Sequence, residues 1–520
     1  MKNRILKSVL CMMLSLTLIL TGCSGQSKSN SESTASQSAT ENTKKDSLMY
    51  SILSDIVTLD PVKSNDSTSQ YVHYQIFDTL IREEKDGTLV PSLAESWEIS
   101  EDGKEVVFNL RKNVKFHNGE VMTADDVAFS LNRSIASAFT TKITGAMKSA
   151  EVIDENTVKL NMKQAYGAVL GCMSSANVAI VSKKAVEANE EGFARNPIGT
   201  GPYKFVEWKN GEKIVLESFQ DYFRGEAAIK NLTFKVISDS NTAVVALEKG
   251  ETDIMDTPPK SARQSLIDNK DLEYYEADQA CYYLISFNNE KGIFSDKKLR
   301  EAVNYAMDRE SIIIGALEGV GTPVEAAMVP LVDEYPKDFK ANEFNVEKAK
   351  QLMAEAGYAN GFTVKMKTID SPTYIKPTEM IQAQLAEIGI TVEIEVMERG
   401  SWMADVLTNN NYEITFWAIP ITVMDPDFAT YSAFHSSMIN GGGNFARVNI
   451  PQLDTLLEKG RASQSKEERA QIYADVCQII KDESVIVPLF TGRRCIAANK
   501  DLTGVVAIPN LKYYVYDWSW

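Results

Sequence analysis

The chain has 520 residues, with 71 acidic side chains against 54 basic ones and a formal net charge of −17. An acidic chain with no basic cluster argues against nucleic-acid binding and against attachment to anionic lipid through the body's own surface. Six cysteines without a Cys-x-x-Cys pair and three histidines at no helix-ligand spacing give no metal-binding pattern.

The N-terminus reads as a leader. Lys2, Arg4 and Lys7 precede an apolar run from Ser8 to Leu20, about a dozen residues and too short for a membrane span. Leu20-Thr21-Gly22-Cys23 resembles the bacterial lipobox, which implies cleavage after residue 22 and lipidation of Cys23. Two or three acyl chains anchor stably where one is marginal. Residues 23–46 are rich in Ser, Thr, Asn and Lys and carry nothing to seed a core, so they form a disordered tether with a mean span of about 25–30 Å. Of the later cysteines, Cys172, Cys281, Cys477 and Cys495 sit among apolar residues and read as free thiols; Cys477–Cys495 is the pairing to consider in an oxidising compartment.

From residue 47 onward the pattern is mixed α/β. Val106 to Leu110 follows the Asp102-Gly103 turn as a hairpin strand. Thr123 and Asp126 form a capping box ahead of Val127 and Leu131. Gly199 and Gly201, beside Pro202, mark a turn between strands that needs open φ, not a phosphate loop. Ser295 caps a helix reaching to about Met307. Asn345 caps another, with Ala349, Leu352, Met353 and Ala356 on its buried stripe and Gly357 at its end. Residues 363–367 alternate as a strand, Met380 to Ile388 follow as a helix, and residues 390–396 alternate again. Residues 412–417 make a further strand. After Glu483 come strand-like pieces at 484–490, 495–498 and 505–509, too few for a domain. Returning them to the first lobe makes the chain cross twice, which is a hinge. The expected organisation is leader 1–22, tether 23–46, first lobe 47–280, second lobe 281–484 and a return to the first lobe over 485–520.

Several segments in order resemble the extracellular solute-binding protein family 5, the dipeptide, oligopeptide and nickel-binding group. They are Leu59-Asp-Pro61, Pro91-Ser-Leu-Ala-Glu-Ser-Trp97, Leu110 through Gly119, Thr123 through Val127, Gly199 through Tyr203, Leu299 through Met307, Ala349 through Tyr358 and Asp425-Pro-Asp427. The resemblance implies an α/β, bilobal, periplasmic-binding-protein-like fold of type II, with an extra subdomain in the first lobe and a two-crossing hinge. Most signature residues have structural explanations: Trp97 and Phe116 as core, Asp126 as a cap, His73 and His117 as structural histidines.

For the ligand site, the resemblance points to Trp417 at a second-lobe strand end, where an aromatic offers broad contact. Trp402 and Arg399 lie in the loop after the preceding strand, and Arg399 has the fork that suits a carboxylate. Tyr71 and Tyr431 are further cleft candidates. The chain departs from the peptide-binding pattern in two places. No acid follows Trp417 until Asp425, and residues 367–373 carry no arginine for a peptide carboxylate. Asp425 is the substitute acid, although an Asp beside Pro also builds turns. His435 is the one histidine placed to cap a nickel chelate.

The expected function is capture of short peptides or peptide-like solutes by lobe closure, for delivery to the permease and ATPase of an ABC importer. The expected protein is a monomer anchored by lipid on the extracytoplasmic face of the cell membrane, without cofactor or nucleic-acid partner. A nickel-chelate or glycan receptor of the same fold, and a surface sensor or adhesin, are the alternatives. An enzyme is not expected, since no catalytic motif is present.

Overall fold

A computed structural model describes residues 45–440, 442–510 and 512–520. The leader, Cys23 and nearly all of the tether lie outside the described residues. Local sequence signals build most of the framework. Thr123 and Asp126 close the capping box of the helix Ala124–Ala136. Asn345 caps the helix Val346–Glu355. The alternating segment after Gly389 forms the strand Ile390–Met397, parallel to Phe362–Ile369 in unbroken register from Phe362↔Ile390 to Ile369↔Met397.

Twelve strands form one sheet through the whole body. Ten lie on one path, in the order Ile390–Met397, Phe362–Ile369, Ile414–Pro420, Cys281–Phe287, Ile486–Asn499, Ile254–Asp256, Ser47–Ile52, Asn231–Val236, Lys213–Ser218 and Tyr203–Lys209, and Leu272–Asp278 and Gly321–Pro323 pair with Ile486–Asn499 off it. The strand Ile486–Asn499 belongs to both halves. Its start pairs with Cys281–Phe287 of the second half, and its end pairs with Ile254–Asp256 and Leu272–Asp278 of the first. Pro488 is tolerated in this central strand because it sits where the register with Cys281–Phe287 shifts, and a bulge needs no ladder donor there. The chain therefore passes between halves twice, around Gln279 and around Thr491, which is the bilobal, two-crossing arrangement.

A separate antiparallel sheet of four strands, Ala94–Ile99, Glu105–Leu110, Thr157–Met162 and Met147–Asp154, makes the extra subdomain of the first half. The helix Ala124–Ala136 lies on it, tied by Asn132 Nδ2 donating to Ala150 O at 2.8 Å. One apolar cluster fills each half of the large sheet. A third runs from this subdomain through residues 324–332 and 419–434 to Val476 and Ile480. The halves thus meet over apolar surface as well as at the crossings.

Four expectations are corrected. Ser295 ends a 3₁₀ turn, and the following helix, Lys297–Tyr305, is capped by Asp296. The helix read from Met380 begins earlier, as Pro372–Glu387. The pieces at 484–490 and 495–498 are one strand, and residues 505–509 are irregular. Gly199 and Gly201 do not have positive φ. They are glycine because any Cβ would collide with the backbone of Ile76, so close approach decides both positions. Cys172, Cys281, Cys477 and Cys495 are all free thiols. Among the described residues no helix is long and apolar enough to cross a membrane.

Candidate functional site

At the crossings the two strands are stitched together by Gln279. Its N–H donates to Gly492 O at 3.0 Å, its side-chain amide donates to Arg493 O at 3.1 Å, and its carbonyl accepts from Thr491 Oγ1 at 3.0 Å. Asp278, one residue earlier, receives Arg493 Nη1 at 2.7 Å and Thr322 Oγ1 of the second half at 2.9 Å. Most of these bonds involve backbone groups, so they fix an axis and tolerate small torsional change about it.

Far along the chain from the crossings, the halves meet through charged side chains. The segment Tyr166-Gly167 of the first half inserts into the second. Gly167 N–H donates to Arg461 O at 2.8 Å, and Tyr166 OH donates to Asp427 at 3.0 Å. Asp427 also receives Arg461 Nε and Nη2, both at 2.9 Å, and the Arg461 guanidinium lies 3.2 Å over the Tyr431 ring. Beside this pair Arg469 Nη2 reaches both oxygens of Asp425 at 2.6 Å, Nη1 donates to Gly460 O at 2.7 Å, and Nε faces Glu334 at 3.3 Å. The acids around Arg469 hold its guanidinium above the ordinary arginine value against the effect of burial. A Cβ at Gly167 would overlap both Arg469 and Ser463 O, and one at Gly171 would lie 2.6 Å from Val423 Cγ1. Small residues in the first half are what allow this approach.

Sequence explains the socket locally. Asp425 caps the helix Pro426–Phe434 by accepting from Asp427 N–H, with Pro426 at its first position. Arg461 lies in the last turn of the helix Pro451–Ala462, where a cation suits the dipole. Arg469 shares the buried stripe of Lys466–Asp482 with Ile472, Tyr473 and Val476, which forces its charge inward. Burying a cation is tolerable only with partners this complete.

A cavity of about 720 Å³ opens beside the socket. The turn 83–89, residues 167–171 and residues 508–510 line it from the first half and its return, and residues 331–334, 423–425, Gln464, Lys466 and Arg469 line it from the second. This volume is within the range of about 300–1,000 Å³ for small-molecule sites. Glu83 at its wall is paired with the buried Lys512 and accepts from Asn510 at 2.5 Å.

The residues singled out from sequence are dispersed. Asp425 lines the cavity with its carboxylate engaged by Arg469. Trp417 and Trp402 come together, ring centroids 6.1 Å apart, with Phe445 4.0 Å from Trp417. Trp402 is fully buried and its indole N–H donates to Thr415 Oγ1 at 3.0 Å. The Trp417 ring keeps partial exposure, while its N–H is buried without a partner among the described residues. Arg399 is exposed at the start of the short helix Arg399–Met403. Tyr431 is buried between Arg461 and His435, whose ring stacks on it at 4.5 Å. His435 Nδ1 accepts from Ser437 N–H at 3.1 Å, so that nitrogen is engaged in capping the next turn. Tyr71 lies elsewhere, in the first half, donating to Asp256 at 2.5 Å beside the partly buried Arg494. Sequence reasoning missed Arg461, Arg469, Tyr166, Gly167 and Gln279. Two acids flanking Pro426 in an apolar stretch were the available signal, since such acids need cationic partners.

Residues 88–441 match the family described as bacterial extracellular solute-binding proteins, family 5 Middle. Heme-binding protein A of Haemophilus influenzae is 29% identical over 507 residues, covering 91% of this chain and 92% of that protein. Among solved structures, HbpA2 from Haemophilus parasuis superposes with a TM-score of 0.83 at 27% identity, covering 91% of this chain and 99% of that one. The ABC transporter-associated periplasmic binding protein DppA from Helicobacter pylori, in complex with the peptide STSA, gives 0.77 at 26% identity, covering 92% and 98%.

Proposed function

Because this chain belongs to family 5 of the bacterial extracellular solute-binding proteins of ABC importers, we propose that it captures short peptides or peptide-like solutes between its two halves and hands them to a permease. The observation that carries this reading is the pairing of a backbone-stitched hinge at Gln279 with a cavity of about 720 Å³ lined from both halves. A ligand that touches both halves favours the closed form in proportion to its differential affinity, and one that touches a single half shifts nothing. The peptide held by the Helicobacter pylori relative supports the ligand class.

In this reading residues 47–280 and 485–520 act as one lobe and residues 281–484 as the other. Trp417, with Trp402 behind it, offers the second lobe's aromatic surface to the ligand outside the cavity wall, and Arg399 and Tyr431 are further candidate contacts, placed apart from it. Asp425 serves by holding Arg469. Lipidation of Cys23 keeps the monomeric protein at the extracytoplasmic face of the membrane, and the protein carries out no chemical reaction. The name of the Haemophilus influenzae relative makes heme the competing ligand.

Thermal melting of the purified protein against pools of di- to hexapeptides and against hemin tests this. The expected result is a midpoint that climbs with peptide concentration, as binding to the native state alone requires. A rise with hemin and none with peptides would overturn the peptide reading.

A further inference from the structure

Three carboxylates and two guanidiniums meet where the halves grip. Asp427 takes both forks of Arg461 and the Tyr166 hydroxyl of the first half. That leaves Asp425 and Glu334 to share Arg469. Asp427, Glu334 and Arg469 are buried, while Asp425 keeps 14% of its side-chain exposure, at the cavity wall. The cluster holds one negative charge more than its cations balance, and an unbalanced buried charge is costly.

Among the described residues nothing else facing the cluster supplies the missing cation. Tyr166 and Cys172 come from the first half, and burial raises both their hydroxyl and their thiol, so they stay neutral. Burial does the same to Tyr473, on the helix of Arg469. His435 is separated from Arg461 by the Tyr431 ring. Lys466 pairs with Asp333 out in solvent, and Lys512 pairs with Glu83.

A proton on one carboxyl restores the balance, and Asp425 is the acid that cavity water can reach. Burial, reinforced by Asp427 and Glu334, outweighs Arg469 and the cap bond from Asp427 N–H and pushes Asp425 up to about 6. The first half supplies part of that burial. Gly171 packs against Val423, two residues before Asp425, and Gly167 packs against Arg469. With the halves apart, water hydrates the Asp425 carboxylate and its value falls back towards the ordinary one, about 3.9.

Resting on the peptide-capture reading above, we propose that closure over a ligand takes up a proton from solvent at the Asp425 carboxylate, so that acid tightens capture and rising pH loosens it. The sign follows from linkage. A group whose value is higher in the closed form adds its full contribution to closure below the open-form value, and that contribution is lost as pH rises through about 6. Ligand and proton then strengthen each other's binding by the same factor.

Titration calorimetry of the full-length protein tests this, with a pool of di- to hexapeptides lacking Asp, Glu and His. Apparent affinity is expected to rise about tenfold from pH 7.5 to pH 5. At pH 6, heats in two buffers of different ionisation enthalpy are expected to show uptake of about half a proton per peptide bound. Asp425→Asn is uncharged at every pH and is still a good cap. It is expected to bind at pH 7.5 as tightly as the unaltered protein binds at pH 5, with no proton uptake. Equal affinity at both pH values without proton uptake, or an acid gain that persists in Asp425→Asn, overturns the role of Asp425 and leaves peptide capture standing. The proton uptake is read on the unaltered protein, so its absence is decisive even where Asp425→Asn does not fold. Binding at neither pH overturns peptide capture and this proposal together.

Discussion

The two places where the halves join differ in kind. At Gln279 the contacts run mainly between backbone groups of adjacent strands. At Tyr166-Gly167 they run to a pair of buried arginine–aspartate ion pairs and depend on side chains and on the absence of a Cβ. The first kind survives rotation of one half against the other, because strand hydrogen bonds twist before they break. The second kind is made only at one separation. In the proposed reading the molecule pivots at Gln279 and is gripped at Tyr166-Gly167, and the cavity lies beside that grip.

The comparison breaks most severely at Arg469. Arg469→Met leaves Asp425 and Glu334 buried without their cation, and loss of one partner from such a group costs about 3–5 kcal/mol. Denaturant unfolding should show that loss, whereas Gln279→Ala, which removes the side-chain bonds to Arg493 O and from Cys281 Sγ at the pivot, should cost only about 1 kcal/mol. Gly167→Ala acts next. Its Cβ has no room beside Arg469 and Ser463, so the halves should stay apart and peptide affinity should fall by roughly tenfold or more, each 1.4 kcal/mol of lost closure being a factor of ten. Isothermal titration measures it. Tyr166→Phe removes only the hydroxyl that donates to Asp427, and a loss of about 1 kcal/mol in closure is expected.

A last test lies away from both joins. His73 is 1% exposed and burial pushes its imidazole down to about 4. It is neutral in the native state while the unfolded chain titrates near 6.5, so its contribution to stability is complete above about pH 6.5 and is lost as pH falls towards 4. The His73 ring resonances, followed by NMR, should stay fixed from pH 8 to pH 5; movement near pH 6.5 would show that the imidazole is open to water.

Much of the frame was legible because it depends on neighbours in sequence. The capping box at Thr123, the cap at Asn345 and the alternating strand after Gly389 each follow from residues within a few positions of one another. The crossing strand was read as two pieces because Pro488 and Thr491-Gly492 look like breaks; a bulge and the pivot absorb them. Arg461 and Arg469 carried no signal of their own, since they meet acids 34 and 44 positions away. Asp425 drew attention as an acid, and its position near the cavity is set by the cation that the sequence did not reveal.

Small-angle scattering of the protein with and without a peptide that stabilises it tests the pivot-and-grip account most directly. A smaller radius of gyration with peptide, abolished in Gly167→Ala, is the expected result. Superimposable curves with and without a bound peptide would contradict it.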